Sequence, residues 1–133
     1  MTATTSLKPS VTNISPQEFH QLSNRPLLID VRSNFEYVRG HAQGAVNISL
    51  PRILMAKNAY LRQFIFPKWF RDLPKDKPIA VICLTAHRSP IAANFLLKMG
   101  FTKVLNVTGG MRQWWQLDYL NVTSNQPEES RRK

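Results

Sequence analysis

The sequence predicts an α/β domain with a mostly parallel central sheet of about five strands and helices on both faces. Three observations carry that reading. The apolar runs at residues 27–31, 45–48, 79–82 and 104–107 have the length of buried strands and lack the polar alternation of a half-exposed sheet. Helix-start signals stand between them, so strands and helices alternate along the chain. At 133 residues, 43% of them hydrophobic, the chain is long enough to close one modest core.

Taken in order, residues 11–14 read as a short edge strand. Ser15-Pro16-Gln17-Glu18 is a capping box with Pro at the first helical position, where its missing N–H is no loss, and it opens a helix to about Leu22. Residues 27–31 follow as a buried strand. Ser33-Asn34-Phe35-Glu36 is a second capping box, with Gly40 placed as the C′ residue of its helix. Residues 45–48 form a third strand. From Pro51 to Phe70, helix formers with apolar residues at mixed spacing (Ile53, Leu54, Tyr60, Leu61, Phe64, Ile65) predict one or two helices broken by Pro67. The turn Leu73-Pro74-Lys75-Asp76-Lys77-Pro78 leads to the strand at 79–82. Ser89 as N-cap and Pro90 behind it start a helix that Gly100 stops, with Ala92, Phe95, Leu96 and Met99 as its inward stripe. A strand at 104–107 and a tight turn at Gly109-Gly110 precede a last helix carrying Met111, Trp114 and Trp115. The domain is expected to span 1–121, and the polar stretch 122–133 to be a disordered tail.

Composition narrows the function classes. A single cysteine rules out an intrachain disulfide, and residues 1–10 lack an apolar leader segment. No apolar run is long enough to span a bilayer, so the expected setting is cytoplasmic, without membrane contact. The Asn-x-Ser/Thr sites at Asn13, Asn47, Asn106 and Asn121 then read as coincidences of composition. One Cys and three scattered His make no metal site, and Gly109-Gly110 lacks the wider pattern of a dinucleotide loop, so no cofactor is expected. The net charge of +10 is concentrated between residues 52 and 77, where Arg52, Lys57, Arg62, Lys68, Arg71, Lys75 and Lys77 face only Asp72 and Asp76. Tyr60, Phe64, Phe66, Trp69 and Phe70 are interleaved with them. The expected arrangement is a solvated basic face whose aromatics pack inward. It disfavours nucleic acid, leaves room for a protein partner, and steers small anions toward the molecule.

The chemistry concentrates at Ile79-Ala80-Val81-Ile82-Cys83-Leu84-Thr85-Ala86-His87-Arg88-Ser89-Pro90. A strand ends at the only cysteine, and a short loop carries the chain through Arg88 into a helix start. A thiol there faces loop amides and the positive end of a helix dipole, which together favour the thiolate. The competing reading of a lone cysteine is a buried structural one. Arg88 and the helix start tilt the balance toward a nucleophile.

Four segments then line up. Leu28-Ile29-Asp30-Val31-Arg32 precedes Glu36-Tyr37-Val38-Arg39-Gly40-His41-Ala42-Gln43-Gly44-Ala45-Val46-Asn47-Ile48. Cys83-Leu84-Thr85-Ala86-His87-Arg88-Ser89 and Gly109-Gly110-Met111-Arg112-Gln113-Trp114 follow. In order and spacing, over about residues 8–118, these resemble the single-domain rhodaneses, a sulfurtransferase family. The resemblance implies that Cys83 takes the outer sulfur of an anionic sulfane donor such as thiosulfate and passes it from a persulfide to cyanide or a thiol. It also implies that amides from Leu84, Thr85, Ala86, His87 and Arg88 stabilise the anionic sulfur, while the Arg88 fork holds an anion or a carboxylate. Asp30 and Arg32 are expected to support the loop, His41 to be a packed residue, and Trp114 and Trp115 to pack, while for His87, inside the loop, donor binding or thiolate stabilisation stands as the lesser alternative to a plain loop residue. Two features depart from the pattern. Ala86 stands where such loops carry Gly, at a cost of about 1 kcal/mol if the position needs positive φ, and Leu84 makes the entrance less hydrophilic. Two rival readings remain, a non-catalytic interaction module of the same fold and a phosphatase or arsenate reductase. The Cys-x4-Arg spacing is one residue short for the latter, and no second cysteine exists to resolve a thiol relay.

Overall fold

In the computed structural model, which describes residues 10–85, 87–117 and 121–122, fourteen elements follow one another. The first half runs β1 (Ser10–Ile14), α1 (Pro16–Gln21), β2 (Leu27–Asp30), α2 (Asn34–Arg39), β3 (His41–Ala42), β4 (Val46–Asn47) and α3 (Leu50–Met55). The second runs α4 (Ala59–Ile65), α5 (Lys68–Arg71), β5 (Ile79–Ile82), α6 (Ser89–Lys98), β6 (Lys103–Val107), α7 (Gly110–Gln116) and β7 (Asn121–Val122). Five strands make an all-parallel sheet in the order β1-β6-β5-β2-β4. The α/β class and the five-strand sheet are as the sequence predicts.

The central strand explains why the apolar runs read so clearly. All four residues of β5 are buried, and their side chains alternate between two packed layers. Ile79 and Val81 point to a cluster with Ile53, Phe66, Phe70, Phe95 and Leu96, and Cys83 joins it by the same parity. Ala80 and Ile82 point to the opposite cluster, with Phe19, Val107, Met111 and Trp114. In register, Asp30 of β2 lies beside Ile82 of β5, so both strands end at the level of Cys83.

Both capping boxes form. Ser15 Oγ accepts from Glu18 N while Ser15 N donates to Glu18 Oε1, and Ser33 and Glu36 repeat the arrangement. Other expectations need correction. Gly40 follows α2 in extended backbone, φ 162°, and not in the left-handed conformation of a C′ glycine. The stretch expected as one or two helices is three, because the Asn58 side chain caps α4 through Tyr60 N and Leu61 N and Pro67 stands at the N-cap of α5. The third strand is only Val46–Asn47, and β3 was not foreseen, since its partner β7 lies far along the chain. Ser89 is not an N-cap: α6 begins on it, with Arg88 at the cap position in helical backbone. The aromatics of the basic segment also divide. Phe66 and Phe70 are buried, but Tyr60, Phe64 and Trp69 are 69%, 64% and 47% exposed. Of the expected tail at 122–133, Val122 belongs to β7, where backbone pairing with His41 holds it in a strand, and 123–133 lie outside the described residues. Among the described residues no helix is long and apolar enough to cross a membrane, and no His, Cys, Asp and Glu group could hold a metal ion.

Candidate active site

The site is built at the carboxyl ends of β2 and β5, where a parallel sheet presents its loops to a ligand. Below it, two buried side chains brace the strand end. Arg32 Nε and Nη2 donate to the Asp30 carboxylate at 3.0 and 2.8 Å, and Asp30 Oδ1 also accepts from Arg32 N. Arg32 Nη2 continues to the Gly40 carbonyl at 2.7 Å, which ties β2 to the end of α2. Asn47 Nδ2 donates to the Asp30 and Arg32 carbonyls and joins β4 to the same corner. Paired and hydrogen-bonded in this way, the two charges can sit out of water.

Cys83 follows the last residue of β5 and is fully buried. Its thiol lies 3.5 Å from Ser89 Oγ, and that is why Ser89 does not cap its own helix: the hydroxyl faces the sulfur. The backbone on either side of the thiol is held from α7. Met111 N donates to the Cys83 carbonyl at 2.7 Å and Arg112 N to the Leu84 carbonyl at 3.0 Å. These are amides of the first helical turn, which have no partner inside their own helix. Gly110 permits the approach: it has φ +60°, and a Cβ there would stand 2.4 Å from both carbonyl oxygens.

Arg88 closes the loop from the other side. Its guanidinium forks onto Glu36, Nη1 to Oε1 at 2.7 Å and Nη2 to Oε2 at 3.1 Å. Glu36 also accepts from Ser33 N and Ser33 Oγ, so one carboxylate both caps α2 and clamps the loop. Hydrogen bonding to Arg88, with Ser33 adding to it, pulls the Glu36 carboxyl down to about 2. Glu36 in turn raises the Arg88 pKa above its ordinary value, with smaller contributions from the charges at Cys83 and Asp30. Within the loop, Leu84 and Thr85 are half-buried, His87 is exposed, and Thr85 Oγ1 lies 2.8 Å from His87 Nδ1. Ala86, and with it the strain expected there, lies outside the described residues. His41 is packed as expected, stacked on Tyr37 at 3.7 Å with Nδ1 at 2.7 Å from the Tyr37 carbonyl. Trp114 is buried, while Trp115 is 41% exposed at the rim.

The structure therefore brings together Cys83, Leu84, Arg88, Asp30 and Arg32, and adds Glu36, Ser89, Asn47 and Gly110, to which sequence reasoning gave no role at the site. All four stand in the segments that carry the family resemblance, the signal that could have found them. A cavity of about 330 Å³ opens beside the loop, with Arg32, Phe35, Glu36, Arg39, Leu84 and Trp115 among its walls. Arg32 sits over the Trp115 ring at 5.6 Å and Arg39 over the Phe35 ring at 5.0 Å. A larger hollow, about 630 Å³, lies at the opposite end of the strands near Ser10, Pro26, Pro78 and Lys103, away from the thiol. With a sulfur at a strand end, two ion pairs bracing its loop and Arg39 on the cavity wall, the arrangement suits a sulfur nucleophile.

Comparison with known proteins finds relatives of the whole domain. The model of the rhodanese-like domain matches residues 15–117. The uncharacterized protein YqhL of Bacillus subtilis is 33% identical over 101 residues, 76% of this chain and 70% of that protein. The putative sulfur carrier protein YrkF of the same organism is 34% identical over 108 residues, 79% of this chain and 51% of YrkF. A tRNA uridine(34) hydroxylase of Synechocystis is 34% identical over 124 residues, covering 90% of this chain but 38% of its own length. The chain thus spans about half or less of most of these longer relatives. Among solved structures, a rhodanese-related protein of Thermoplasma volcanium superposes with a TM-score of 0.63 at 29% identity, over 84% of this chain and 97% of that one.

Proposed function

This chain belongs to the rhodanese-like domain family, and we propose that it is a sulfurtransferase working through a persulfide on Cys83. The observation that carries the reading is the place of Cys83, directly after the central strand β5, in a six-residue loop ended by Arg88. Cys83 loses its proton to water, and the thiolate attacks the outer sulfur of a sulfane donor such as thiosulfate. The donor's S–S bond breaks, sulfite leaves with the electron pair, and a Cys83 persulfide anion remains. An acceptor nucleophile, cyanide or a thiolate, then attacks the terminal sulfur. The new S–S bond breaks in turn and the Cys83 thiolate is restored, with no net oxidant or reductant required.

The surrounding groups support each step. The start of α6, the helix that opens at Ser89, supplies a fixed dipole beside the thiolate and the persulfide. Ser89 Oγ, 3.5 Å from the sulfur, supplies a hydroxyl that can donate to the anion. Arg39 on the cavity wall and the net charge of +10 draw in an anionic donor, while Arg88 and Arg32, matched by Glu36 and Asp30, brace the loop. A relative named as a putative sulfur carrier is in keeping with this chemistry.

One observation favours a second reading, a non-catalytic module of the same fold: Cys83 is fully enclosed in this structure. Incubation with thiosulfate followed by intact mass measurement separates the two. The sulfurtransferase gains the mass of one sulfur, loses it again on addition of cyanide, and shows neither change as Cys83→Ser. Absence of any gain from thiosulfate or an organic persulfide donor would establish the non-catalytic module.

A further inference from the structure

Outside the site, the helices that cover one face of the sheet share an unusual surface. Residues 50–71, which hold α3, α4 and α5, contain no Asp or Glu, and neither does α6. The cations on these elements and their links are Arg52, Lys57, Arg62, Lys68, Arg71 and Lys98. On the same elements stand most of the large apolar side chains that the described residues leave in water: Met55 at 50%, Tyr60 at 69%, Phe64 at 64%, Trp69 at 47% and Ile91 at 50%. Because α3 packs on both α4 and α6, these residues belong to neighbouring elements and not to distant loops. Between α3 and α6 runs a groove of about 180 Å³, with Leu54, Ile91 and Phe95 as its apolar lining and Lys57 and Lys98 at its polar edge. Exposed apolar surface of this kind, ringed by one sign of charge, marks a docking site.

We propose that this face docks an acidic protein segment with apolar anchors, belonging to the protein that exchanges sulfur with Cys83. The inference rests on the sulfurtransferase reading and names the partner of that site. Charge selects an anionic occupant: α3, α4, α6 and the links between α3, α4 and α5 carry no carboxylate, and only Lys68 on α5 is offset, by Asp72 just past that helix at 2.7 Å. The shape of the patch selects a protein over a nucleic acid. The groove is floored by Leu54 and the buried Phe95 with Ile91 beside them, and the exposed rings are engaged edge to face, Tyr60 with Phe64 at 5.6 Å and Trp69 with Phe70 at 6.0 Å, in place of an open stacking face. At seven residues, α4 is short for a helix lying in a membrane surface. Position selects the sulfur partner. Ile91 stands in the first turn of α6, the helix that starts at Ser89 beside Cys83, so the groove runs along the helix whose start closes the loop.

The test uses the full chain and a fluorescein-labelled synthetic peptide of alternating Glu and Leu, read by anisotropy and by amide shifts in the NMR spectrum. The peptide should bind, shift amides of Leu54, Lys57, Ile91, Asn94 and Lys98, and weaken with added salt. The double variants Lys57→Glu/Lys98→Glu and Tyr60→Ser/Phe64→Ser should each weaken binding about tenfold or more. Absence of binding, unchanged binding in both variants, shifts confined to other surfaces, or preferential binding of oligouridine or phosphatidylglycerol vesicles would overturn the proposal. Sulfur loading of Cys83 by thiosulfate, measured by mass in the same variants, keeps the two readings apart. Normal loading with unchanged peptide binding removes the docking face alone, whereas wild-type protein that takes no sulfur removes the chemistry on which the partner's role depends.

Discussion

Glu36 holds two structures in place with one carboxylate, the first turn of α2 through Ser33 and the loop after Cys83 through the Arg88 fork. The Glu36 and Arg88 side chains are 29% and 33% exposed, so water screens the pair and its net worth falls well short of a fully buried one. Glu36→Gln preserves shape and removes the charge. It should lower stability at neutral pH by about 1–2 kcal/mol, measured from urea midpoints. The pH dependence has a definite sign. The folded carboxyl titrates near 2 against an ordinary value of 4.5, so the contribution is complete above about pH 4.5 and is lost as pH falls toward 2. The gap between wild type and Glu36→Gln should therefore be constant from pH 7 to pH 5, narrow below about pH 4.5 and close only as pH approaches 2. A gap that widened on acidification would contradict the ion pair. Nothing near residue 36 in the sequence gives away its partner at residue 88, because a charge clamp between distant segments leaves no periodicity or cap motif to read.

The first turn of α7 is the element whose backbone touches the candidate nucleophile's own peptide, through Met111 N and Arg112 N. Gly110→Ala tests that contact. Its Cβ would collide with the Cys83 and Leu84 carbonyl oxygens at 2.4 Å, at a residue whose φ of +60° already disfavours a side chain. The expected cost is about 2–4 kcal/mol, with a loss of sulfur loading on whatever fraction folds. Gly44→Ala is the matched control. Gly44 has φ +86° but nothing within 4 Å of its Cβ, so only backbone strain of about 1 kcal/mol should appear. Equal losses in the two variants would mean that the contact with the loop contributes nothing. Elements with local causes were readable in advance: α1 and α2 from their Ser-x-x-Glu boxes, and β5 from an uninterrupted apolar run. Those with distant causes were not. The pairing of β3 with β7 spans most of the chain, and the burial of the Ser89 hydroxyl against Cys83 depends on where β5 delivers the sulfur. The split of the basic segment into three helices had a local cause in the Asn58 cap, and there the mixed spacing of apolar residues hid it.

At the scale of the whole molecule, one thin sheet separates two packed layers, and β2, β5 and β6 contribute side chains to both. Ile29, Val81 and Val104 face the layer of α3, α5 and α6, while Leu28, Ile82 and Val107 face that of α1 and α7. The three central strands serve both layers at once, so losing one face removes support from the other. Phe70→Ala and Trp114→Ala weaken the two layers separately, at side chains 1% and 3% exposed. Each should cost about 3–5 kcal/mol, the usual range for removing a buried aromatic ring. In both variants the unfolding transitions followed by far-UV circular dichroism and by the remaining tryptophan fluorescence should still coincide at one lowered urea midpoint. Two separated transitions in either variant would show that the layers melt independently. The thiol would then be held by the layer of Phe70 alone, since Cys83 shares a cluster with Phe70 and not with Trp114. With coincident transitions, damage on the far side of the sheet reaches Cys83 as strongly as damage beside it, and Trp114→Ala should reduce sulfur loading near the urea midpoint in proportion to the unfolded fraction.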